Sequence, residues 1–545
     1  MGKKIQNYDV VVIGGGITGA GVARDCAMRG LRVVLLEAFD ITHGATGRNH
    51  GLMHSGARYV MSDPENAKEC IRENRILRRI ARHCVEETDG LFVSLPDDDL
   101  DYQRRFIKAC LKAGISAEEL APDEALAIEP SVNPKLIGAV RVPDAAIDPF
   151  RLTIANVLDA QMHGATVLTN HRVTGILVES GTVAGVEAES KDGKFTFLAP
   201  VVVNAAGAWC QQIASLAGVT INMFPARGAL LIFGHRVNHM VINRCRKPSN
   251  GDILVPDDIV CVLGTTSNRV PIEEIDNTCV TAQEVDLLLQ EGVKLVPSLE
   301  RTRILRAYAG VRPLVALGED DSGRNISRGI VLFDHKERDG LDGFITITGG
   351  KMMTYRLMAQ KATDLVCRKL GVTAVCATAT RPLPGSEPVA EPDDDDEVEN
   401  TMSFAHRAAL GRHGTRVEMI SEDKPEQRAL VCECEHVSHG EVNYAIKELK
   451  ADSMEKLRRR TRLGMGTCQG KMCACRAASL FSQADGDVER HVSDLKMFLN
   501  ERWKGIRPIA WGSALSEAQL SAMTYQSLCG IDRINYSSPT DSDKQ

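Results

Sequence analysis

The sequence predicts an α/β fold, with a Rossmann-like unit interleaved with a β-rich second domain and a small helical module towards the C-terminal end. Three observations lead to this prediction. The apolar run Tyr8–Ile13 leads directly into the glycine-rich turn Gly14-Gly-Gly-Ile-Thr-Gly19. Apolar runs that end in glycines recur at 201–207 and 344–350. Four cysteines lie far along the chain in two pairs, Cys432-x-Cys434 and Cys468-x4-Cys473.

The glycine-rich turn has the pattern of a dinucleotide-binding motif between a strand and a helix. We predict the helix from Gly19 to Arg29, ended by Gly30, and a second strand from Leu31 to Leu36. In this motif Gly14 permits the tight turn, Gly16 lets the backbone approach the pyrophosphate, and Gly19 lets the helix pack closely on the strand. Glu37, at the end of the second strand, is placed to accept a hydrogen bond from a ribose hydroxyl and to repel a 2′-phosphate. The alternative for the motif alone is a plain glycine turn.

The other predicted elements follow in chain order. Helical spacing of apolar residues indicates a helix from Glu65 to Cys84 and another over 151–163. Short alternating strands are predicted around Val167, at 173–178 and at 183–188. The run 201–207 reads as a buried strand ending at a glycine turn, and 344–350 as a strand that leads into a helix over 354–370. In the C-terminal part we predict helices at 404–410, 441–449, 454–460 and 495–503.

Two later segments extend the cofactor prediction from a dinucleotide in general to FAD. Val203-Asn-Ala-Ala-Gly-Ala-Trp209 is a second half-site, and Thr348-Gly-Gly-Lys-Met-Met-Thr354 is a third that opens a helix. A helix N-terminus at the third half-site can stabilise negative charge on a reduced flavin. Either segment alone is equally well read as an ordinary strand-to-loop turn, but their order along the chain favours FAD. The predicted cofactor-binding residues are Gly14, Gly16, Gly19, Glu37, Thr46, Ala206, Gly207, Gly349, Gly350 and Thr354.

The four cysteines have the spacing of a cluster or metal site. Cys432 and Cys434 flank a single residue, and Cys468 and Cys473 lie in the glycine-rich loop 463–470 and just beyond it. Four thiolates suit either a [2Fe–2S] cluster or a tetrahedral zinc ion. The spacing does not decide between Cys473 and the neighbouring Cys475 as the fourth ligand.

Composition limits the classes of function. The 545 residues suffice for roughly two to four domains, and 43% hydrophobic with 25% charged residues is typical of globular proteins. The net charge of −7 and the lack of a long basic stripe argue against nucleic-acid binding. We interpret the one local basic run, Arg458-Arg-Arg-Thr-Arg462, as a solvated face or a docking patch.

The N-terminus and the cysteine content bear on location. Met1-Gly-Lys-Lys leads to the first strand without the apolar segment of a secretory signal, so we expect a cytoplasmic protein. In that compartment the 16 cysteines favour free thiols and metal ligation over disulfides. No apolar run approaches the length of about 18 residues that would indicate a membrane-spanning helix.

The predicted domain boundaries follow from these patterns. Residues 1–376 form the FAD unit, with cofactor-binding segments at 1–80, 150–215 and 330–376 and substrate segments at 81–149 and 216–329. Prolines followed by Asp393-Asp-Asp-Asp-Glu397 indicate a solvated linker over 377–428 with a short helical piece. The cluster module occupies 429–481, and a helical tail with a polar end occupies 482–545.

Four segments carry a resemblance to a known family. Gly44–Tyr59, Ala309–Leu314, Ser327-Arg-Gly and Gly349–Arg356 are similar to motifs of the FAD-dependent glycerol-3-phosphate dehydrogenases, which belong to the amino-acid-oxidase-like superfamily. The cysteine arrangement resembles the bacterioferritin-associated-ferredoxin-like (BFD-like) [2Fe–2S] domain, which narrows the resemblance to the anaerobic branch of the family. The resemblance implies oxidation of sn-glycerol 3-phosphate to dihydroxyacetone phosphate, with a hydride passed to flavin N5.

The resemblance also implies roles for individual residues. The substrate phosphate is expected on Arg58 and Arg312, with Arg328 as a third candidate; any one of them could instead be a surface ion pair. His54 is the candidate base, with packing against the flavin as the alternative, and Lys351 is expected near flavin and substrate. Two residues depart from the aerobic pattern. Leu230 stands where many aerobic members have His, and Met353 stands where they have Thr.

Partners and competing functions complete the prediction. The resemblance implies menaquinone as the final acceptor, a peripheral position on the cytoplasmic face of the inner membrane, and two partner chains. One partner is a second flavoprotein subunit; the other is a membrane-associating iron–sulfur subunit. One alternative function is that of a flavin enzyme of the same fold that acts on an amine or a 2-hydroxy acid. Another is an iron–sulfur or zinc interaction module on a degenerate flavin scaffold, which the intact glycine motif opposes.

Overall fold

A six-stranded sheet with its strands in the order typical of a dinucleotide-binding unit organises the N-terminal part of the chain. The computed structural model describes residues 4–315, 329–388, 402–528 and 531. Five strands are parallel and the last is antiparallel to its neighbour. From edge to edge they are Thr166–Leu168, Val33–Leu36, Val10–Ile13, Val201–Asn204, Phe344–Gly349 and Ile330–Asp334.

Each face of this sheet is covered by a different layer. One face packs on three helices, Ile17–Met28, Pro149–Met162 and Tyr355–Leu370, through side chains such as Val22, Ala23 and Val366. The other face packs on a four-stranded sheet and the helix Cys210–Ser215. That sheet has the order Lys4–Asn7, Gly193–Leu198, Thr182–Ser190 and Arg172–Glu179. These elements confirm the predicted Rossmann-like unit; the first helix begins two residues earlier than we predicted.

A second, largely antiparallel sheet of nine strands forms the β-rich domain. Its two longest strands, Met223–Phe233 and Ile304–Val315, pair antiparallel, and the latter carries Arg312. Its other strands are Asn268–Arg269, Val260–Gly264, Ile253–Asp257, Val241–Arg244, Gly90–Ser94, Gly138–Val142 and Glu118–Leu120. A small sheet of Leu52–Met53, Ala145–Ile147 and Val85–Glu86 joins the two domains. The accompanying helices are Pro64–Ile80, Leu100–Lys112, Pro122–Ile128, Ala282–Leu295 and His335–Asp339.

The C-terminal module, residues 402–528, is mainly helical. Its helices are Phe404–His413, Pro425–Arg428, His439–Lys447, Met454–Thr461, Ala474–Asp485, Val488–Ile506 and Gly512–Leu528, with one hairpin of Leu430–Cys432 and Val437–Ser438. Its apolar core is continuous with the N-terminal unit, because Ile41, Ile154 and Val157 pack in the same cluster as Val442 and Leu457. None of the described helices is both long and apolar enough to cross a bilayer.

Much of the segment that we expected to be a solvated linker packs on the rest of the protein. Leu383 is fully buried, and its backbone N–H donates to the carbonyl of Ile80 at 2.8 Å. Arg412 is buried and pairs with the buried carboxylate of Glu441. The linker prediction therefore does not hold at 383–386 and over Phe404–His413, where the predicted helical piece is present, whereas 421–428 is largely exposed. The acidic run at 393–397 lies outside the described residues.

The basic run 458–462 is buried, contrary to our interpretation of a solvated face or docking patch. Arg460 pairs with Asp40 at 2.7 Å, and Arg459 pairs with the same carboxylate at 3.0 Å. Arg462 is surrounded by carboxylates from three other segments of the chain. The sequence of the run suggests an exposed segment, because most of the acidic residues that neutralise it are hundreds of residues away in the chain.

Candidate active site and cysteine site

The glycine turn leaves no room for side chains, as a pyrophosphate cradle requires. Gly14 has φ +111°, and a Cβ there would lie 2.7 Å from the carbonyl oxygen of Ala205. A Cβ on Gly19 would overlap the carbonyl oxygen of Gly14. Gly16 is the N-cap of the first helix, and a Cβ there would face the hydroxyl of Thr46 at 3.2 Å. The turn therefore presents bare backbone at a helix N-terminus, where a phosphate group binds favourably.

The Gly19→Ala variant should therefore purify without FAD. The added methyl group cannot be accommodated without moving Gly14, which is backbone and cannot rotate away. The matched control is Gly411→Ala, because a Cβ at Gly411 meets nothing within 4 Å and the residue lies in a helix. The flavin absorbance per protein measures the result. Normal FAD content in Gly19→Ala would contradict this account of the turn.

Glu37 and Thr46 support the turn from outside. The Glu37 carboxylate accepts the N–H of Gly15 at 2.6 Å and the N–H of Phe39 at 2.8 Å, one on each oxygen. Each oxygen keeps a second lone pair, so Glu37 can still accept a ribose hydroxyl. Burial of this side chain raises its pKa. The Thr46 hydroxyl accepts the N–H of Ile17 at 3.1 Å and so fixes the first turn of the helix.

The two later half-sites form turns that need glycine. Gly207 has φ +60°, and Gly349 and Gly350 have φ +72° and +63°. After them the Thr354 hydroxyl accepts the N–H of Lys351 at 3.0 Å and donates to its carbonyl. The turn 349–354 leads directly into the helix Tyr355–Leu370. Ala206 and Gly207 follow the strand next to Val10–Ile13, so both half-sites lie at the same edge of the sheet as the first.

A cavity of about 770 Å3, called here the first cavity, lies at this edge and extends to the β-rich domain. It is lined by the start of the first helix, by Thr46, and by the turn 349–353. These walls are the parts predicted to bind FAD. The predicted substrate residues His54, Arg58, Arg312 and Lys351 line it as well. Residues that are far apart in the sequence, and that we predicted separately, thus line one cavity in the fold.

His54 and Lys351 lie beside each other across Tyr59. The Nε2 atom of His54 is 3.5 Å from the Tyr59 hydroxyl, and the His54 side chain is 8% exposed. The Lys351 ammonium lies 4.2 Å from the centre of the Tyr59 ring and donates to the Asn66 carbonyl oxygen at 2.6 Å. Tyr59 and Asn66 were not among the predicted site residues. Tyr59 ends the segment Gly44–Tyr59 that carries the family resemblance, so the sequence did hold a signal for it. Asn66 has no such signal, because its contact with Lys351 depends on how the helix packs.

Arg58 and Arg312 approach the first cavity from opposite sides. Arg58 pairs with the buried Asp252 at 3.3 Å through Nη2, while its buried Nη1 has no hydrogen-bond partner among the described residues. Arg312 donates to the Thr265 hydroxyl and to the carbonyl of Thr266. Two guanidinium groups facing one space form a site for a phosphate. Arg328, the third candidate, lies outside the described residues.

The two departures from the aerobic pattern are also at this site. Leu230 lines the first cavity in place of a titratable side chain, and Met353 is fully buried behind the turn. Two further basic residues that the sequence analysis missed, Arg48 and Lys247, also line the cavity. Lys247 lies in a polar segment of the sequence, which does not indicate that its side chain lines a cavity.

The four predicted cysteines come together in the C-terminal module. Cys473 is a hydrogen-bonding neighbour of both Cys432 and Cys468, and Cys468 is a neighbour of Cys434. The thiols thus form a row, Cys434, Cys468, Cys473 and Cys432. No contact of this kind joins Cys475 to the row within the described residues. The same residues contain no group of three His, Cys, Asp or Glu side chains around a single metal position.

Backbone N–H groups surround the row of thiols. Those of Gly470 and Met472 point to Cys468, which together with the neighbouring Cys473 thiol lowers the pKa of Cys468 to about 5. Those of Gly464 and Glu435 point to Cys432 and contribute to its lowered pKa, after the larger effect of Cys473. Gly464 and Gly470 have φ +76° and +90°, so glycine is needed where the loop turns its amides inward. The loop thus favours the thiolate form of Cys432 and Cys468, and thiolates are the ligands of an iron–sulfur cluster.

Family models match both parts of the chain. Residues 9–356 match the FAD dependent oxidoreductase family, and residues 430–483 match the BFD-like [2Fe-2S] binding domain. The predictions of FAD and a [2Fe–2S] cluster are thereby confirmed, and the zinc alternative is not supported. The first match covers more than half of the chain, and the second agrees closely with the predicted module boundaries.

Curated relatives match nearly the whole chain. The A subunit of the anaerobic glycerol-3-phosphate dehydrogenase of Escherichia coli (strain K12) is 59% identical over 97% of this chain and 98% of its own length. Its counterpart in Haemophilus influenzae is 56% identical over 96% of this chain and 94% of its own length. The A1 subunit of the Haloferax volcanii enzyme is 42% identical over 97% of this chain and 91% of its own length.

Solved structures share the fold. The glycerol-3-phosphate dehydrogenase from Bacillus halodurans complexed with FAD superposes with a TM-score of 0.68 at 22% identity, covering 93% of this chain and 96% of that one. Glycine oxidase from Geobacillus kaustophilus superposes with a TM-score of 0.55 at 23% identity, covering 67% of this chain and 95% of that one. At these identities the superpositions confirm the fold class alone.

Proposed function

We propose the function of this chain on the premise that it belongs to the family of the anaerobic glycerol-3-phosphate dehydrogenase A subunits. It oxidises sn-glycerol 3-phosphate to dihydroxyacetone phosphate and passes the electrons through its [2Fe–2S] cluster towards menaquinone. The observation that carries the substrate assignment is the first cavity, where two arginines, a lysine and a histidine line one space beside the FAD-binding turns.

The residues of the first cavity divide the work of the reaction. Arg58 and Arg312 bind the substrate phosphate from two sides and so fix the carbon that is oxidised. His54 accepts the hydroxyl proton, because it lies on that wall and imidazole titrates near neutral pH. Lys351, held by Asn66, orients the substrate oxygen. FAD, when bound, supplies the acceptor for the hydride, and the cluster carries the electrons one at a time.

The flavin-type alternative differs in what the cavity must bind. A 2-hydroxy acid would need one cation to bind its carboxylate, and a protonated amine would be repelled by cations, whereas Arg58, Lys247 and Arg312 supply several cations. The deciding experiment is an anaerobic absorption and EPR spectrum of the purified chain before and after addition of glycerol 3-phosphate. We expect the flavin to bleach with glycerol 3-phosphate. Bleaching by an amine or 2-hydroxy acid, without a response to glycerol 3-phosphate, would replace this proposal.

The proposal extends to assembly. The relatives are subunits of larger enzymes, and we propose that this chain likewise works with two partner chains. One is a second flavoprotein subunit; the other is a membrane-associating iron–sulfur subunit. Those partners would hold it on the cytoplasmic face of the inner membrane. We retain the proposed boundaries of the FAD unit at 1–376 and of the cluster module at 429–481. One continuous apolar core contains residues of both units.

The Arg312→Lys variant tests the phosphate assignment. Lysine keeps the charge but loses the planar fork, so we expect kcat/KM for glycerol 3-phosphate to fall roughly 10- to 100-fold, mainly through KM. FAD content should be unchanged. Steady-state assays with an artificial electron acceptor measure the effect.

Two controls isolate the phosphate contact in Arg312→Lys. The first is Arg301→Lys. Arg301 is exposed and lies in the connection that leads into Ile304–Val315, the strand that carries Arg312. The second is glycerol as substrate, whose weak oxidation should be the same in wild type and Arg312→Lys because it carries no phosphate. Equal losses with both substrates would assign Arg312 to the fold instead of the phosphate.

A further inference from the structure

A second cavity of about 410 Å3 lies between the FAD unit and the cysteine module. Residues 48–50 separate it from the first cavity and line both. Its other walls come from the strand Ile304–Val315, from Met465 and Gln469 of the cysteine loop, and from the helix Val488–Ile506. The reaction proposed above does not use this space.

Most charges around the second cavity are paired. Arg151 pairs with Asp258 at 2.7 Å, and Arg462 pairs with several carboxylates of the same wall. Glu455 is shared by Arg458 at 2.7 Å and Arg459 at 3.0 Å. In these pairs each carboxylate already faces a cation. Another carboxylate of the wall, Glu501, lies 4.0 Å from the ammonium group of Lys504.

Three arginines of the cavity wall have no such partner. Among the described residues, the guanidinium groups of Arg48, Arg306 and Arg502 make no hydrogen bond and no ion pair within 4 Å. Arg502 is 5% exposed, and its Nε and Nη2 atoms are buried without a partner. The Nε atom of Arg306 is buried in the same way. Arg502 is buried and lies 4.8 Å from the centre of the Phe498 ring, whereas Arg48 and Arg306 are half-buried. A cation that is withdrawn from water without an anion is costly, so three around one cavity need an explanation.

The electrostatics of the cavity show what burial costs the cations of its wall. Burial lowers the pKa of Arg48 and of Arg306, although Glu501 and Glu455 act in the opposite direction from a distance. The pKa of His43, on the same wall, falls to about 3, first through burial and then through Arg48 and Arg459. Lys504 is occupied by the Thr278 hydroxyl at 3.0 Å.

We propose that the second cavity binds a phosphate-bearing small molecule of about mononucleotide size, with its phosphate on Arg48, Arg306 and Arg502. Guanidinium groups form forked, charge-assisted hydrogen bonds with phosphate oxygens, and the charge of three such groups more than offsets that of a phosphate dianion. The volume falls in the range of small-molecule sites and exceeds what a lone phosphate needs. His43, His50, Phe150 and Tyr308 line the remainder and can contact an organic group. Arg48 lines both cavities, but Arg306 and Arg502 line only the second, and Arg58 and Arg312 line only the first.

The test uses the full chain loaded with FAD and cluster, in the presence of excess glycerol 3-phosphate so that the substrate site is filled. Adenosine monophosphate and inorganic phosphate are titrated separately by calorimetry under anaerobic conditions. We expect adenosine monophosphate to bind, and Arg502→Gln and Arg306→Gln each to weaken it by about tenfold or more. Arg507→Gln is the matched control, because Arg507 follows the same helix and is exposed.

The outcomes separate this site from the proposed function. Neither arginine contacts the first cavity, so flavin bleaching by glycerol 3-phosphate should persist in both variants. Binding of inorganic phosphate alone, as tightly as the nucleotide, would support the arginine site but overturn the mononucleotide size. No binding of either probe, or equal binding in Arg502→Gln and Arg507→Gln, would overturn the proposal. So would loss of FAD from Arg502→Gln, since the cavity would then belong to the FAD site.

Discussion

Replacing Cys473 by alanine should give a chain that binds FAD but lacks its [2Fe–2S] cluster, whereas Cys475→Ala should keep both. Cys473 lies between Cys432 and Cys468 in the row of thiols, and it is fully buried. Cys475 is half-buried on the helix Ala474–Asp485 and has no thiol neighbour of this kind in the described residues. The sequence left the two residues as alternatives; the fold favours Cys473.

Iron and acid-labile sulfide content, together with the EPR spectrum of the reduced protein, measure the result. Each iron of a [2Fe–2S] cluster is held by two cysteines, so loss of one leaves an incomplete site and cluster content should fall to near zero. Glycerol 3-phosphate should still bleach the flavin of Cys473→Ala, because the first cavity lies in the other unit. Full cluster content in Cys473→Ala, with loss in Cys475→Ala, would reverse the ligand assignment.

The parts of the molecule that the sequence predicted well are those fixed by local geometry. Gly14, Gly19 and Gly350 must be glycine because neighbouring atoms occupy the Cβ position, and such requirements leave a recognisable spacing. The cysteine pairs are predictable for the same reason, since Gly464 and Gly470 shape the loop around them. The resemblance to family motifs supplied the predicted substrate residues. Four of them line the first cavity: His54, Arg58, Arg312 and Lys351.

The parts that the sequence did not predict depend on long-range partners. Asn66 can hold Lys351 only because the start of its helix packs against the turn that contains Lys351. The two residues are 285 positions apart in the chain. The run Arg458–Arg462 has the composition of an exposed patch, but Asp40, Asp148 and Asp257 meet it in the fold. A single sequence contains no signal for such pairings, because opposite charges far apart in the chain have many possible partners.

Arg462 is the residue on which the junction between the two units depends most. Its guanidinium pairs with Asp148 at 3.0 Å, Asp257 at 3.0 Å, Asp258 at 2.7 Å and Glu435 at 3.2 Å, and its side chain is 4% exposed. Glu435 directly follows Cys434, one of the four proposed cluster ligands, in sequence. The pair network therefore ties the cluster loop to the FAD unit.

The Arg462→Met variant should lower the free energy of unfolding by about 3–5 kcal/mol, because buried carboxylates lose their cation. Methionine keeps a similar length and the same Cβ, so the strain at φ +63° is unchanged. We also expect slower reduction of the cluster after glycerol 3-phosphate is added. Urea unfolding followed by fluorescence and cluster absorbance, with anaerobic stopped-flow spectroscopy, measures the two effects. Arg476→Met is the control: its pair with Glu433 is largely exposed and is worth roughly 0–1 kcal/mol.

The pH dependence distinguishes lost charge pairing from lost packing in Arg462→Met. Burial already raises the pKa of Asp257, and removal of Arg462 should raise it further. A carboxyl whose pKa is higher in the folded state stabilises the fold when protonated, and this contribution is lost as pH rises through the folded pKa. The deficit of Arg462→Met relative to wild type should therefore shrink as the pH is lowered from neutral towards the pKa of Asp257. Adding Asp257→Asn to Arg462→Met should likewise recover part of the loss at neutral pH. A deficit that is the same at every pH, with no recovery in the double variant, would mean that Arg462 acts through packing of its aliphatic stem alone.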